Sequence, residues 1–121
     1  MEYRLLGGKN DIAQIISGEV LISDAQSALD FIATAQYETG CGKFILDKAC
    51  VAEAFFRLGT GVTGEVLQKF VNYRTKLAVV GDYSGYTSKP LRDFICESNR
   101  GNSVFFVDSV EEAVKKLDGA G

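Results

Sequence analysis

The sequence predicts an α/β fold. It reads as a single domain with a five-stranded, mostly parallel sheet, an N-terminal antiparallel hairpin and four to five helices, in the order ββαβ(α)αβαβα. Three observations predict it. Short apolar runs at 43–47, 76–80 and 103–107 are too brief for helices and read as buried strands. Segments of helical periodicity lie between them, and strands alternating with helices of roughly ten residues imply right-handed crossovers and parallel pairing. The 121 residues are one domain's worth, because a single core typically serves about 100–150 residues.

Each element has its own signal. Residues 3–6 and 11–17 flank Gly7-Gly8-Lys9-Asn10, whose residues tolerate positive φ, so a hairpin is expected. Ser23 and Gln26 then read as an S-x-x-Q capping box, followed by Ala25, Leu29, Ile32, Ala33 and Gln36 at helical spacing and a stop near Gly40. Lys43–Asp47 is a strand. In 48–61, Ala52, Phe55 and Phe56 fit a short helix or a strand equally, while Gly59 and Gly61 break either. From Gly64, the positions Val66, Leu67, Phe70 and Tyr73/Arg74 describe a helix face, and Lys76–Val80 is the next strand. After the loop 81–86, Ser88 caps a helix with Pro90 in its first turn, where a missing N–H does no harm. Leu91, Phe94, Ile95 and Ser98 form its inner face, and Gly101 ends it. Ser103–Val107 is the last strand. Ser109 to Glu112 is a second capping box ahead of Ala113, Val114 and Leu117. The whole span 1–121 is used, with no repeat or linker.

At 46% hydrophobic and 24% charged residues, the chain is neither disordered nor a coiled coil. It has no histidine, which excludes Ser-His-Asp and Cys-His nucleophile systems and His-ligated metals. No motif implies a cofactor. A net charge of −3 without a basic cluster argues against nucleic acid and anionic lipid as partners. The absence of a long apolar run and of a signal-like start leads to the expectation of a cytoplasmic protein that does not enter a membrane. Three cysteines, Cys41, Cys50 and Cys96, at wide spacing suit neither a disulfide framework nor a zinc site, and read as reduced structural thiols.

Three constellations are candidates for function. Gly59-Thr60-Gly61-Val62-Thr63-Gly64 is a formal G-x-G-x-x-G, with Asp82 eighteen residues beyond Gly64. A dinucleotide site needs a strand ending at the first glycine, and the candidate 54–58 would carry Arg57 within it. A Gly-rich turn that opens a helix is therefore favoured over nucleotide binding. Asp82, Tyr83, Ser84, Tyr86 and Ser88 gather after the 76–80 strand, at the sheet edge where open α/β folds bind ligands. The helix start at Ser88 could receive an anion; an ordinary solvated crossover is the plainer reading. Asp47 and Lys48 add a carboxylate and an amine to the same edge, either as an acid–base pair or with Asp47 capping the next turn. Glu65, Glu111 and Glu112 need only favourable helix-dipole interaction to explain them.

Ile15-Ile16-Ser17-Gly18-Glu19-Val20 before a helix, the strand ending at Asp47, a hydroxyl-bearing Gly-rich turn and the terminal Phe105-Phe106-Val107-Asp108-Ser109-Val110-Glu111-Glu112-Ala113-Val114 together resemble the STAS domain of anti-sigma-factor antagonists. More closely, Tyr37–Cys41, Gly64–Phe70, Gly81–Lys89 and Phe94–Asn99 resemble the bacterial family called domain of unknown function 4180, which brings no activity with it.

The STAS resemblance implies a serine-type phosphorylation site in an Asp-Ser-x-Gly turn opening the second helix, where the added charge abolishes docking. The matching turn is Leu58-Gly59-Thr60-Gly61, which lacks both the aspartate and the serine. Thr60 would inherit the role, and Thr63 is an equal candidate. The resembling fold also implies helices stacked on one face. Strands 77–80 and 104–107, apolar on both faces, would then need cover from a homodimer or a protein partner.

The favoured function is a STAS-like regulatory or protein-interaction domain without catalysis. The alternative is a small-ligand or nucleotide binder using the Gly59–Gly64 turn or the Asp82–Ser88 loop. An enzyme built on Asp47, Lys48, Asp82 or a thiol is the least favoured reading.

Overall fold

The computed structural model describes residues 1–120. Strands β1 (Glu2–Leu6) and β2 (Ile12–Ile16) form the expected antiparallel hairpin, with Leu6 opposite Ile12 and the Asn10 N–H donating to the Gly7 carbonyl at 3.3 Å. Helix α1 (Ala25–Thr39) ends at Gly40 as expected.

Its start differs from the sequence reading. The cap is Asp24, not Ser23, and the reciprocal partner is Ser27, not Gln26. The Asp24 carboxylate accepts from the Ser27 N–H at 2.8 Å, and Ser27 Oγ accepts from the Asp24 N–H at 3.0 Å. An ionised carboxylate is the stronger acceptor, and these bonds hold its carboxyl below the usual range. The buried face shifts accordingly to Ala28, Phe31, Ile32 and Ala35, while Ala33 and Gln36 are exposed.

Strand β3 (Lys43–Asp47) pairs parallel to β2 and to β4 (Lys76–Val80), which pairs parallel to β5 (Val104–Val107). The five strands therefore run β1-β2-β3-β4-β5 across the sheet. Helices α2 (Val62–Asn72) and α3 (Lys89–Arg100) make the later crossovers, and α4 (Val110–Gly119) closes the described chain. The ambiguous segment resolves into three 3-10 turns, 48–50, 53–56 and 58–60. It is stitched to the loop before α1 by Leu21 and Ile22 N–H groups donating to the Cys50 carbonyl, and by Ala52 N–H donating to that of Ile22.

Helices α1, α2 and α3 share one face, where Ile32, Val66, Phe70 and Leu91 pack on Phe44, Leu46, Leu77, Val79 and Phe106. The expectation of an uncovered second face is corrected by α4. Ala113 and Leu117 pack on Ile12, Ile45, Ala78, Phe105 and Val107. The last helix lies under β4 and β5 on the face opposite the other three. Complete burial of a leucine such as Leu117 contributes about 1.5–3 kcal/mol.

No described helix is long and apolar enough to cross a membrane. All three cysteines are free. Cys41 and Cys50 are buried as structural thiols should be, but Cys96 is exposed on α3 and has no packing role of that kind.

Candidate functional site

Because β2 to β5 are parallel, their carboxyl ends deliver Ser17, Asp47, Gly81 and Asp108 to one edge of the sheet. Two neighbouring features occupy that edge.

The first is a locked lysine. Lys48 Nζ lies 5.1 Å from the centroid of Phe56 and 4.9 Å from that of Tyr86, whose rings are themselves stacked at 5.2 Å. Glu53 completes the cluster, 3.6 Å from Lys48 Nζ and accepting from the Tyr86 hydroxyl at 2.8 Å. Hydrogen bonding with Tyr86 and the charge of Glu53 raise the Lys48 amine above its ordinary range, against the opposing pull of burial. Burial raises the Tyr86 phenol. Asp47 points elsewhere, its carboxylate accepting from the Ala49 N–H at 2.9 Å, which makes it a turn cap rather than half of an acid–base pair.

The second is an open cleft of about 790 Å³ between α3 and α4, reached by the loop after β4. Asp82, Tyr83 and Ser84 line it, as the edge rule for α/β sheets leads one to expect. Asp108, Glu112, Lys116 and Asn99 line it too. Three carboxylates against one ammonium make its wall acidic. Among the described residues, no three His, Cys, Asp or Glu side chains come together closely enough to hold a metal ion. The Asp82 carboxylate accepts from the Ser84 N–H at 2.9 Å, and bonding to Ser84 lowers its pKa. The Tyr83 hydroxyl donates to the Val79 carbonyl at 2.7 Å, and burial pushes its pKa up.

The glycine-rich turn stands apart from both features. It follows a 3-10 turn rather than a strand, so the strand–turn–helix geometry of a dinucleotide site is not present there. Gly61, at φ +81°, is the one glycine of the three whose backbone conformation calls for glycine, whereas a Cβ at Gly59 or Gly64 would meet nothing within 4 Å.

The two threonines of this turn are not equivalent, which corrects their equal standing in the sequence. Thr63 is buried and donates its hydroxyl to the Phe55 carbonyl. Thr60 is exposed, donates to the Arg57 carbonyl at 2.9 Å and accepts from the Val62 N–H at 3.2 Å. Ser88 occupies the N-cap of α3, but its side chain makes no capping bond.

The structure thus brings together Lys48, Tyr86 and Glu53 beside Asp82 and Tyr83, and leaves Ser88 and the Gly59–Gly64 turn outside the cleft. Sequence reasoning missed Glu53 and Phe56, which lie in the ambiguous segment. It also missed Asp108, which follows β5 as directly as Asp82 follows the β4 turn and could have been found by the same rule. Glu112 and Lys116 carry no signal beyond helical spacing.

A family model described as Domain of unknown function (DUF4180) matches residues 8–117. No curated protein and no solved structure matches the chain.

Proposed function

The chain belongs to the DUF4180 family, and from that premise we propose that it is a regulatory or protein-interaction domain with a STAS-like fold and no catalytic activity. The observation that carries this reading is Thr60. Its hydroxyl is exposed at the start of α2, the place that the STAS resemblance gives to the phosphate acceptor, and it bonds only to nearby main chain, donating to the Arg57 carbonyl and more weakly to that of Ala54 at 3.5 Å, and accepting from the Val62 N–H. A phosphate there would add about −1.5 to −2 charge beside the positive end of a helix dipole, changing the surface without touching the core. Sequential strand order with three crossover helices on one face supports the STAS-like part.

The carboxyl edge supports the absence of catalysis. Lys48 is held cationic and Asp82 anionic, whereas proton-transfer catalysis favours a group poised near the working pH. A cytoplasmic location belongs to the same proposal, supported by three free cysteines.

Protein isolated from its native cells should carry one phosphate on Thr60 in some growth state. A partner cross-linked to the surface around α2 should be lost with Thr60→Glu and kept with Thr60→Ala. An unmodified chain that cross-links to nothing in any growth state would overturn the reading.

The acidic cleft favours a second reading, a binder of a small ligand that presents a cationic group. This changes the ligand class from the nucleotide considered from sequence, because a phosphate would face Asp82, Asp108 and Glu112. An amine ligand at a hundred times its dissociation constant should stabilise the fold by about 2.7 kcal/mol. Stabilisation by nucleotides instead would reject that charge argument.

A further inference from the structure

The two edges of the sheet are finished differently. At β5, Asn99 Nδ2 donates to the Phe106 carbonyl at 3.0 Å and Asn99 Oδ1 accepts from the Phe106 N–H at 2.7 Å. The side-chain amide imitates a neighbouring strand and closes that position to strand addition. At β1, among the described residues, no side chain and no backbone other than that of β2 bonds to the main chain of Glu2–Leu6. This edge pairs with β2 without a bulge, contains no proline, and has two of the large exposed apolar side chains on or beside it, Met1 at 44% and Leu5 at 46%. By strand alternation they lie on the same face as Tyr3.

From this asymmetry we infer that β1 docks against β1 of a second copy of this chain. The two strands pair antiparallel about Tyr3 and join the sheets into one. The register follows from charge. Pairing about Tyr3 sets Glu2 opposite Arg4 of the second copy, twice by symmetry, with Met1 opposite Leu5 and Tyr3 opposite Tyr3. Pairing about Glu2 or about Arg4 sets like charges opposite each other, which is unfavourable, and pairing about Leu5 offers no opposite-charge pair.

Within the chain, Glu2 faces Ile16 and Arg4 faces Gln14 across the hairpin, and neither makes an ion pair among the described residues. Both charges are therefore free for a partner strand. The contact is isologous, so it closes at two copies and builds no fibre. It is independent of Thr60 and of the cleft.

Light scattering and sedimentation on the full chain test this. The native sequence should show twice the chain mass. Glu2→Arg and Arg4→Glu should each weaken self-association at least about tenfold, because each sets like charges opposite one another twice. The double variant Glu2→Arg/Arg4→Glu should restore it, since the reversal rebuilds both pairs. Circular dichroism reports whether each variant is folded. In a Cys96→Ser background, Tyr3→Cys should form an interchain disulfide on oxidation and Leu5→Cys should not, which tests the register without charge changes. A monomer at every concentration reached overturns the inference. So does a dimer indifferent to single reversals, a folded double variant that stays as monomeric as the singles, or cross-linking at position 5 in preference to position 3.

Discussion

The side chain of Lys48 fills the space above Gly81: a Cβ built at Gly81 would lie 2.5 Å from Lys48 Cβ and 2.8 Å from Lys48 Cδ. Gly81 follows β4 directly and its backbone φ is ordinary, so the glycine is there for close approach rather than for a turn. Gly81→Ala should therefore destabilise by about 1–3 kcal/mol, the usual cost of overpacking, and should pull Lys48 away from Glu53 and the two rings. Urea unfolding measures the loss. Adding Lys48→Gly should recover part of it, giving a coupling energy in the double-mutant cycle; strictly additive effects would show that the two residues do not share this space.

Asn99 is the second device of this kind, because its side chain serves the backbone of Phe106 at both ends. Asn99→Ala would leave a part-buried N–H and carbonyl without partners, at a cost of about 1–3 kcal/mol. The Phe106 amide proton should exchange markedly faster in the variant. Unchanged exchange there would mean that water or another group already satisfies the edge.

The crossover helices were legible because burial of one face imposes a 3.6-residue period on their sequence, and the parallel strands because burial on both faces leaves short uninterrupted apolar runs. Residues 48–60 have no such period. Their three 3-10 turns are fixed by packing, with Phe55 and Phe56 set against Phe106, Tyr83 and Tyr86 from distant parts of the chain. No local pattern encodes those contacts, so the ring cluster that holds Lys48 was invisible.

The candidate hydroxyls were half legible. Thr63, Val66 and Phe70 fall three and four residues apart on one buried stripe of α2, and extending the apolar face back by one turn would have removed Thr63 from the surface. The strand-end rule located Asp82 and the cleft beside it but was not carried on to Asp108. The shift of the α1 cap from Ser23 to Asp24 turns on which of two adjacent acceptors wins, an energy difference that residue type ranks only coarsely.

The cover on the second face of the sheet rests on α4, whose Leu117 is fully buried against β4 and β5. Leu117→Ala should cost about 2–5 kcal/mol through lost transfer energy and a residual cavity. A dye specific for exposed apolar surface should bind the variant below its unfolding transition and ignore the native chain. A loss under about 1 kcal/mol, far below the usual range, would mean that α4 packs loosely and that this face needs an outside partner after all.

Tyr83 is expected to set the alkaline limit of stability. Its hydroxyl is bonded to the Val79 carbonyl, and burial raises its ionisation above the ordinary value of 10.0. The folded state therefore holds that proton more tightly than the unfolded chain does, and the associated stability is complete below about pH 10 and is lost as pH rises from there toward the folded value. Tyr83→Phe removes the hydrogen bond, so at neutral pH it should be less stable by about 1 kcal/mol. It also removes the ionisation, so its stability should decline less steeply above pH 10 and the two curves should converge. Denaturant unfolding at a series of alkaline pH values provides the comparison, and parallel decline of the native protein and Tyr83→Phe would place the alkaline limit on another group, with Tyr86 the next to test because burial raises its ionisation as well.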